Sequence, residues 1–316
     1  MRCVLIYNPA SGRNRQIRAE KIRQISIALS ALGHNVEVRP TTAPGSATIQ
    51  AEEAVRSGAE VVFACGGDGT IHEILQSMVT EASEPTAALG IIPLGSANAL
   101  ARHMRLSLDP VDAALQEVAG TPHTIPVGKI TFGDHFRYFA VMAGAGPDGA
   151  LVYDLLTAQK SSLGRLAYYL RAAKLFATRR FDPFVVEYDE ASSGAKLSQR
   201  AVSVMAVRVG DLGGLFSKLT GPGGTVHDAH LKLLVLGPPA ALSLPLWFVS
   251  GWLNLNGHNR FLSIVDVTRV SCHPYPGSAA HFQADGECLG RIPMQITVIP
   301  KALRLLLPNL ESVRRR

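Results

Sequence analysis

With 316 residues, 47% hydrophobic and 18% charged, the chain carries enough apolar side chains to bury two cores of ordinary domain size. A formal net charge of +6 favours an acidic partner such as a nucleotide or an anionic membrane surface. The basic residues form no stripe interleaved with aromatics and no zinc-finger spacing, so no nucleic-acid partner is expected.

Residues 3–7 make a short apolar run, too short for a signal-peptide core, and read as a buried strand before the turn NPASGR. Ile22, Ile25, Leu29 and Leu32 then recur at helical spacing, and Gly33 closes that helix. Residues 35–39 read as a second strand and 46–56 as a second helix with Ser46 as its N-cap. Residues 61–65 read as a third strand ending on Gly66-Gly67, 70–78 as a helix and 88–92 as a fourth strand. Such a βαβαβαβ order predicts a parallel sheet with helices on both faces and a ligand site beyond the carboxyl ends of its strands.

Beyond residue 125 the pattern changes. The runs 137–142, 184–188, 201–209, 231–236, 261–270 and 295–299 read as strands separated by Gly/Pro turns, which predicts a mostly antiparallel second domain. Residues 163–177 are the exception, with an apolar helical stripe at Leu163, Leu166, Leu170, Ala173 and Ala177. The nearly uncharged stretch 231–255 is long enough to suggest a spanning helix, but Pro238, Pro239 and Pro245 interrupt it. A strand followed by a short apolar helix is the expected outcome there, with a greasy lining for a lipid as the alternative. Cys3, Cys65, Cys272 and Cys288 include no CxxC pair, so neither disulfides nor a zinc site are expected, and a reducing cytoplasm is the expected compartment.

The strongest chemical signal is Gly66-Gly67-Asp68-Gly69-Thr70, a glycine turn between a buried strand and a helix. Residues without a Cβ let backbone N–H groups point at an anion, and the helix N-terminus behind them adds its positive end. Asp68 would repel phosphate unless it serves magnesium or orients the loop, and Thr70 can cap the helix or donate to a phosphate. No Walker-type P-loop is present. Gly144, Gly146 and Gly149 spell G-x-G-x-x-G, but residues 159–181 hold no acidic partner for a dinucleotide ribose, so the match is read as coincidental.

Four segments in order, Asn8-Pro9-Ala10-Ser11-Gly12, GGDGTIHEIL from Gly66, IPLGSANALAR from Ile92 and ADGE from Ala284, together resemble the diacylglycerol kinase catalytic family. Within it the likeness is to bacterial soluble lipid kinases related to sphingosine and ceramide kinases. The resemblance implies an α/β protein with an N-terminal Rossmann-like three-layer domain around a parallel sheet (1–125). It also implies a C-terminal, mostly antiparallel β-sandwich acceptor domain (126–300) and a tail (301–316) returning to the first domain. It implies ATP and Mg2+, with Asn8, Ser11, Thr41, Gly66, Gly67, Asp68, Gly69, Thr70, Glu73, Ser96 and Asn98 around the nucleotide. Asp285, with Glu287 beside it, falls where the family places its general base, and Asp68 completes the expected catalytic set.

The bland readings stand alongside: Asp285-Gly286 as an ordinary hairpin turn, Ser96 or Asn98 as the start of a helix over 97–104, Glu73 as a favourable charge on its own helix. Ala99 stands where many relatives carry aspartate. Asp228 matches a residue of the family's second-domain metal site, whose glycine and second aspartate are here Ala229 and Lys232. A lipid acceptor at a membrane surface, with peripheral contact, is expected. Arg165, Arg171, Lys174, Arg179, the Arg314–Arg316 tail and the Trp247 and Trp252 segment suit that contact, although each also reads as a solvated face, a frayed end or a buried helix. A soluble acceptor such as NAD, a nucleotide-binding lipid sensor without turnover, and a homodimer remain open.

Overall fold

The computed structural model describes residues 1–9, 15–147, 181–210, 218–219, 224–253, 255, 259–276 and 278–309. The helix expected over 163–177, Ser11 and the terminal arginines lie outside them. The first nine elements are β1 (Arg2–Tyr7), α1 (Arg15–Ala31), β2 (Asn35–Pro40), α2 (Ser46–Arg56), β3 (Val61–Gly66), α3 (Asp68–Met78), β4 (Ala88–Pro93), α4 (Ala99–His103) and α5 (Pro110–Val118). There follow β5 (Thr121–Phe132), β6 (His135–Phe139), β7 (Met142–Ala145), β8 (Phe184–Glu190), β9 (Lys196–Ala201), β10 (Ser203–Val207) and β11 (Leu231–Leu236). The last are α6 (Ala240–Trp252), β12 (Leu262–His273), β13 (His281–Ala284), β14 (Glu287–Arg291) and β15 (Met294–Leu307). Together they make an α/β fold with both parallel and antiparallel strand pairing.

Among the described residues two compact units emerge: those of 1–127 with 299–309, and those of 128–298. In the first unit β1 pairs in parallel with β2 and β3, β3 with β4, and the later residues of β15 with β4. Every residue of β3 and β4 is buried, as two-sided burial in a parallel sheet demands, whereas no residue of the edge strand β2 is fully buried. Ile22, Ile25 and Leu29 turn the apolar stripe of α1 into the core beside Leu5 and Phe63. Leu32 lies past the helix end and is exposed, because Gly33 has already left the helix at φ +80°. The Phe63 ring sits where only Gly90 leaves room, since a Cβ there would collide with it.

The second unit is antiparallel: β14 pairs β13, β13 pairs β7, β7 pairs β10, β10 pairs β11, and β11 pairs β12. Strand β12 also pairs β8 and, over Arg269–Cys272, the first part of β15. The strand expected over 137–142 is two strands, β6 and β7, broken at Ala140 and Val141. Their N–H groups, with that of Met142, leave the ladder for the Asp285 carboxylate. Stretch 231–255 resolves into β11 and α6 with Pro245 inside the helix, and no helix among the described residues is long and apolar enough to cross a membrane. The four cysteines are unpaired thiols, and burial pushes each of them up from its ordinary pKa. Helix α5 was not visible as a periodic run, yet Asp109 caps it by accepting from Val111 N and Asp112 N, with Pro110 in its first turn.

Glu117 on α5 is 0% exposed, and its Oε2 would lie 2.9 Å from a Cβ at Gly90. Burial pushes its carboxyl well above the ordinary range, with the Ile91 amide acting in the opposite sense. The folded state therefore favours the neutral acid. Stability is lost as pH rises from the unfolded carboxyl pKa toward the raised folded one. Glu117→Met is expected to raise the stability of the chain by about 1–3 kcal/mol at pH 8 and by less at pH 5. Chemical or thermal melts at the two pH values check this; a gain that does not grow with pH contradicts it.

Candidate functional site

Strand order in the first unit reverses at β1, which has β2 on one side and β3 on the other. Loops leaving β1 and β3 therefore diverge and open a crevice at the carboxyl end of the sheet. A cleft of about 520 Å3 lies there, lined by Asn8 and Pro9 after β1, Thr41–Pro44 and Ala47 after β2, and Gly67, Gly69, Thr70 and Glu73 after β3. Gly67 is the N-cap of α3, so the first turn of that helix, at the positive end of its dipole, belongs to this wall. Gly66 must be glycine, because a Cβ would run into the Thr70 side chain.

The neighbouring loop, after β4, is fastened to this turn. Asp68 Oδ2 accepts from Asn98 N at 2.9 Å and Oδ1 from Ala99 N at 2.8 Å, so its carboxylate holds the start of α4. Gly67 and Gly95 pass backbone against backbone, and a Cβ on Gly95 would collide with the Gly67 Cα. Asn98, itself at φ +51°, closes the loop by donating from Nδ2 to Gly95 O at 2.9 Å and accepting from Gly95 N at 3.0 Å. Of the two roles open to Asp68 from sequence, orienting the loop is the one with partners on both oxygens.

Glu73 Oε2 accepts from Gly45 N at 3.1 Å and Ala47 N at 3.4 Å, so it serves the N-terminus of α2 rather than only its own helix. Ser46 consequently does not cap α2. Gly45 is the N-cap in a left-handed conformation, and the Ser46 hydroxyl accepts from Thr42 N and Ala43 N, stitching the preceding loop. Among the residues expected around a nucleotide, Asn8, Thr41, Gly67, Gly69, Thr70 and Glu73 line the cleft. Gly66 ends β3 just outside it, Asp68 and Asn98 act on the loop, and Ser96 is exposed on that loop. Thr42–Pro44 and Gly95 were missed. Only the glycine of the IPLGSAN segment hinted at a close backbone approach.

In the second unit, Asp285 and Gly286 have φ +47° and +85°, a two-residue hairpin turn joining β13 to β14. The turn aims the Asp285 carboxylate back at the start of β7. Oδ2 accepts from Ala140 N at 2.8 Å, and Oδ1 from Val141 N and Met142 N, both at 2.9 Å. Asp285 N donates to Met142 O at 2.9 Å, and Gly286 N to Gln283 Oε1 at 2.8 Å. The Asp-Gly pair is the hairpin turn that its sequence spells, and its side chain is anchored 143–145 residues away. Glu287 opens β14 and is exposed.

Asp228 accepts from Thr225 N at 2.7 Å and Thr225 Oγ1 at 2.9 Å, while Lys232 Nζ lies 3.2 Å from Asp266 Oδ1. Among the described residues no three His, Cys, Asp or Glu side chains converge on a metal position. Gly144 lies within β7, whose neighbours are antiparallel, so the G-x-G-x-x-G match does not open a βαβ unit there.

Residues 2–130 match the family model described as the diacylglycerol kinase catalytic domain. The chain is 31% identical over 312 residues to a diacylglycerol kinase of Bacillus subtilis (strain 168), covering 98% of this chain and 97% of that relative. A diacylglycerol kinase of Staphylococcus haemolyticus (strain JCSC1435) is 24% identical over 307 residues, 96% of this chain and 88% of the relative. In fold, the chain is similar to the crystal structure of a diacylglycerol kinase from Bacillus anthracis str. Sterne, with a TM-score of 0.67, 17% identity and coverage of 98% and 97%.

Hydrogen bonds to a charged acceptor contribute more than neutral ones, so Asp68→Ala is expected to cost about 1.5–3 kcal/mol in denaturant melts. Asp68→Asn should recover only part of that, having one acceptor oxygen where the native residue uses two. A cost for Asp68→Ala within about 0.5 kcal/mol of zero, ordinary for an uninvolved surface site, contradicts the loop-holding role.

Proposed function

The chain belongs to the diacylglycerol kinase catalytic family and is a phosphotransferase of that kind; on that premise we propose that it moves the γ-phosphate of ATP to the hydroxyl of diacylglycerol or a related lipid alcohol. The observation that carries this reading is the first unit's cleft, where strand ends, the glycine turn and a helix N-terminus meet, an arrangement whose backbone dipoles suit phosphates.

In this reading Asn8, Thr41, Thr70 and the Gly67 and Gly69 backbone hold the nucleotide phosphates, and the family resemblance adds the hydroxyls of Ser11 and Ser96. Gly66, Asp68 and Asn98 keep the turn and its neighbouring loop in place. Magnesium, when bound, neutralises phosphate charge, and Glu73 is the carboxylate of the cleft lining suited to hold it. Asp285, fixed by three N–H groups, takes the acceptor's proton as the oxygen–phosphorus bond forms and the bond to the ADP oxygen breaks, with Glu287 assisting. We assign 1–125 to a Rossmann-like three-layer nucleotide domain and 126–300 to a β-sandwich acceptor domain, with 301–316 returning to the first.

A lipid acceptor is supported by α6 and its C-cap Leu253, where Leu242, Leu246, Val249 and Leu253 are 52%, 46%, 56% and 58% exposed at helical spacing, while Trp247 turns inward and donates to Leu219 O at 3.1 Å. An exposed apolar helix face suits peripheral contact with a bilayer from the cytoplasm.

The test uses ATP labelled in its γ-phosphate, magnesium, and vesicles containing diacylglycerol, ceramide or another lipid alcohol, with NAD as the soluble competitor. Transfer to a lipid is expected, and Asp285→Ala should lower kcat by about 10²- to 10⁴-fold. Label found only on NAD overturns the lipid acceptor, and full activity in the variant overturns the base.

A further inference from the structure

Four strand ends lie side by side in the second unit. Strand β7 starts where its two neighbours stop, with Val207 opposite Met142 on one side and Ala284 opposite Ala143 on the other. Beyond β10, Lys232 at the start of β11 pairs with the same Val207. This one edge therefore brings together Asp285 after β13, Ala140–Met142 at the start of β7, Arg208 after β10 and Asp228 before β11.

Arg208 is the cation in the middle of that edge, and it is only 2% exposed. Its backbone N–H donates to Val141 O at 2.9 Å, and Val141 in turn donates its own N–H to Asp285. The guanidinium donates from Nη2 to Val226 O at 3.0 Å and from Nη1 to Asp228 O at 3.3 Å, closing the turn that precedes β11. Gly224 fills the space beside this turn, since a Cβ there would lie 2.7 Å from Asp228 Oδ2 and 3.2 Å from Arg208 O. Burial lowers the guanidinium to about 10, while Asp228 and Asp285 act to raise it, so it stays charged at neutral pH. A buried cation is retained only where carboxylates and carbonyls compensate it.

The same surroundings do not fit a divalent cation. Asp228 already accepts from the Thr225 amide and hydroxyl, and Asp266 has Lys232 at 3.2 Å and His230 at 3.8 Å. A hard cation needs converging oxygen ligands, whereas this edge presents an arginine and a lysine.

We infer that Arg208 is a positioning residue which does with a fixed guanidinium what a bound divalent cation would otherwise do there: it locks the turn at Asp228 and the 140–142 segment, and through that segment the carboxylate of Asp285. The inference rests on the kinase reading for its effect on turnover, but not for its structural content. Arg208 touches no substrate in this account.

Three measurements on the full chain decide it. Equilibrium dialysis against Mn2+ without nucleotide is expected to show no stoichiometric site, and EDTA is expected to leave the melting midpoint unchanged. One tightly held ion whose removal lowers the midpoint overturns the inference. In a melting cycle of Arg208→Met, Asp285→Asn and the double variant, the double variant is expected to lose less than the sum of the single losses. Strict additivity overturns the coupling. Arg208→Met should lower kcat on the order of 10²-fold with the KM for ATP within about twofold, and Arg208→Lys should restore most of kcat. Wild-type kcat in a folded Arg208→Met protein, or a loss confined to the KM for ATP, overturns the positioning role. Should the unsubstituted chain transfer no phosphate to any lipid, the kinase reading fails alone, and the dialysis and the cycle still judge Arg208.

Discussion

Backbone N–H groups that leave a ladder or begin a helix need acceptors, and in this chain two aspartates placed just after strands supply them. Asp68 takes the amides of Asn98 and Ala99, 30 and 31 residues along the chain, and Asp285 takes those of Ala140, Val141 and Met142. Each carboxylate turns two separate loops into one rigid strand-end platform. Without them the amides would lie partly buried and unpaired, at a cost comparable to that of the hydrogen bonds themselves.

Rigid strand ends are what phosphoryl transfer asks of a protein, because its catalysis is mostly positioning and charge compensation. In the first unit the glycine turn, the helix start behind it and the Gly67–Gly95 contact shape a wall in which Gly67 and Gly69 leave the backbone open to the cleft. Glu73 braces the opposite wall by holding Gly45 and Ala47. In the second unit Arg208 places a fixed positive charge among Asp228, Asp285 and the carbonyls of the adjoining turn. A guanidinium supplies directional donors that a metal ion lacks, and it cannot be removed by a chelator.

Much of the first unit could be read from the sequence because its signals are local. The apolar runs of β1, β3 and β4, the stripe of α1 and the glycine turn each announce themselves within a dozen residues. What escaped depends on partners far away in the chain. Ser46 has the composition of an N-cap, yet Glu73 reaches the start of α2 instead, 26 and 28 residues off. The run 137–142 is apolar without a break after Arg137 and reads as one strand, but Asp285 draws three of its amides out of the ladder. Asp285-Gly286 spells a hairpin turn, and nothing local reveals where the side chain goes. Arg208 followed a buried strand and carried no motif, so only its burial and its carbonyl partners expose it.

The central claim is that nucleotide phosphates occupy the cleft at the carboxyl ends of β1, β2 and β3. Amide hydrogen exchange with and without magnesium and a non-hydrolysable ATP analogue tests it most directly. The account predicts slower exchange on nucleotide binding at Gly67–Thr70 and in the Thr41–Ala47 loop, with the outer strands of the second unit unchanged. Protection confined to other segments, with the glycine turn exchanging as before, would contradict it.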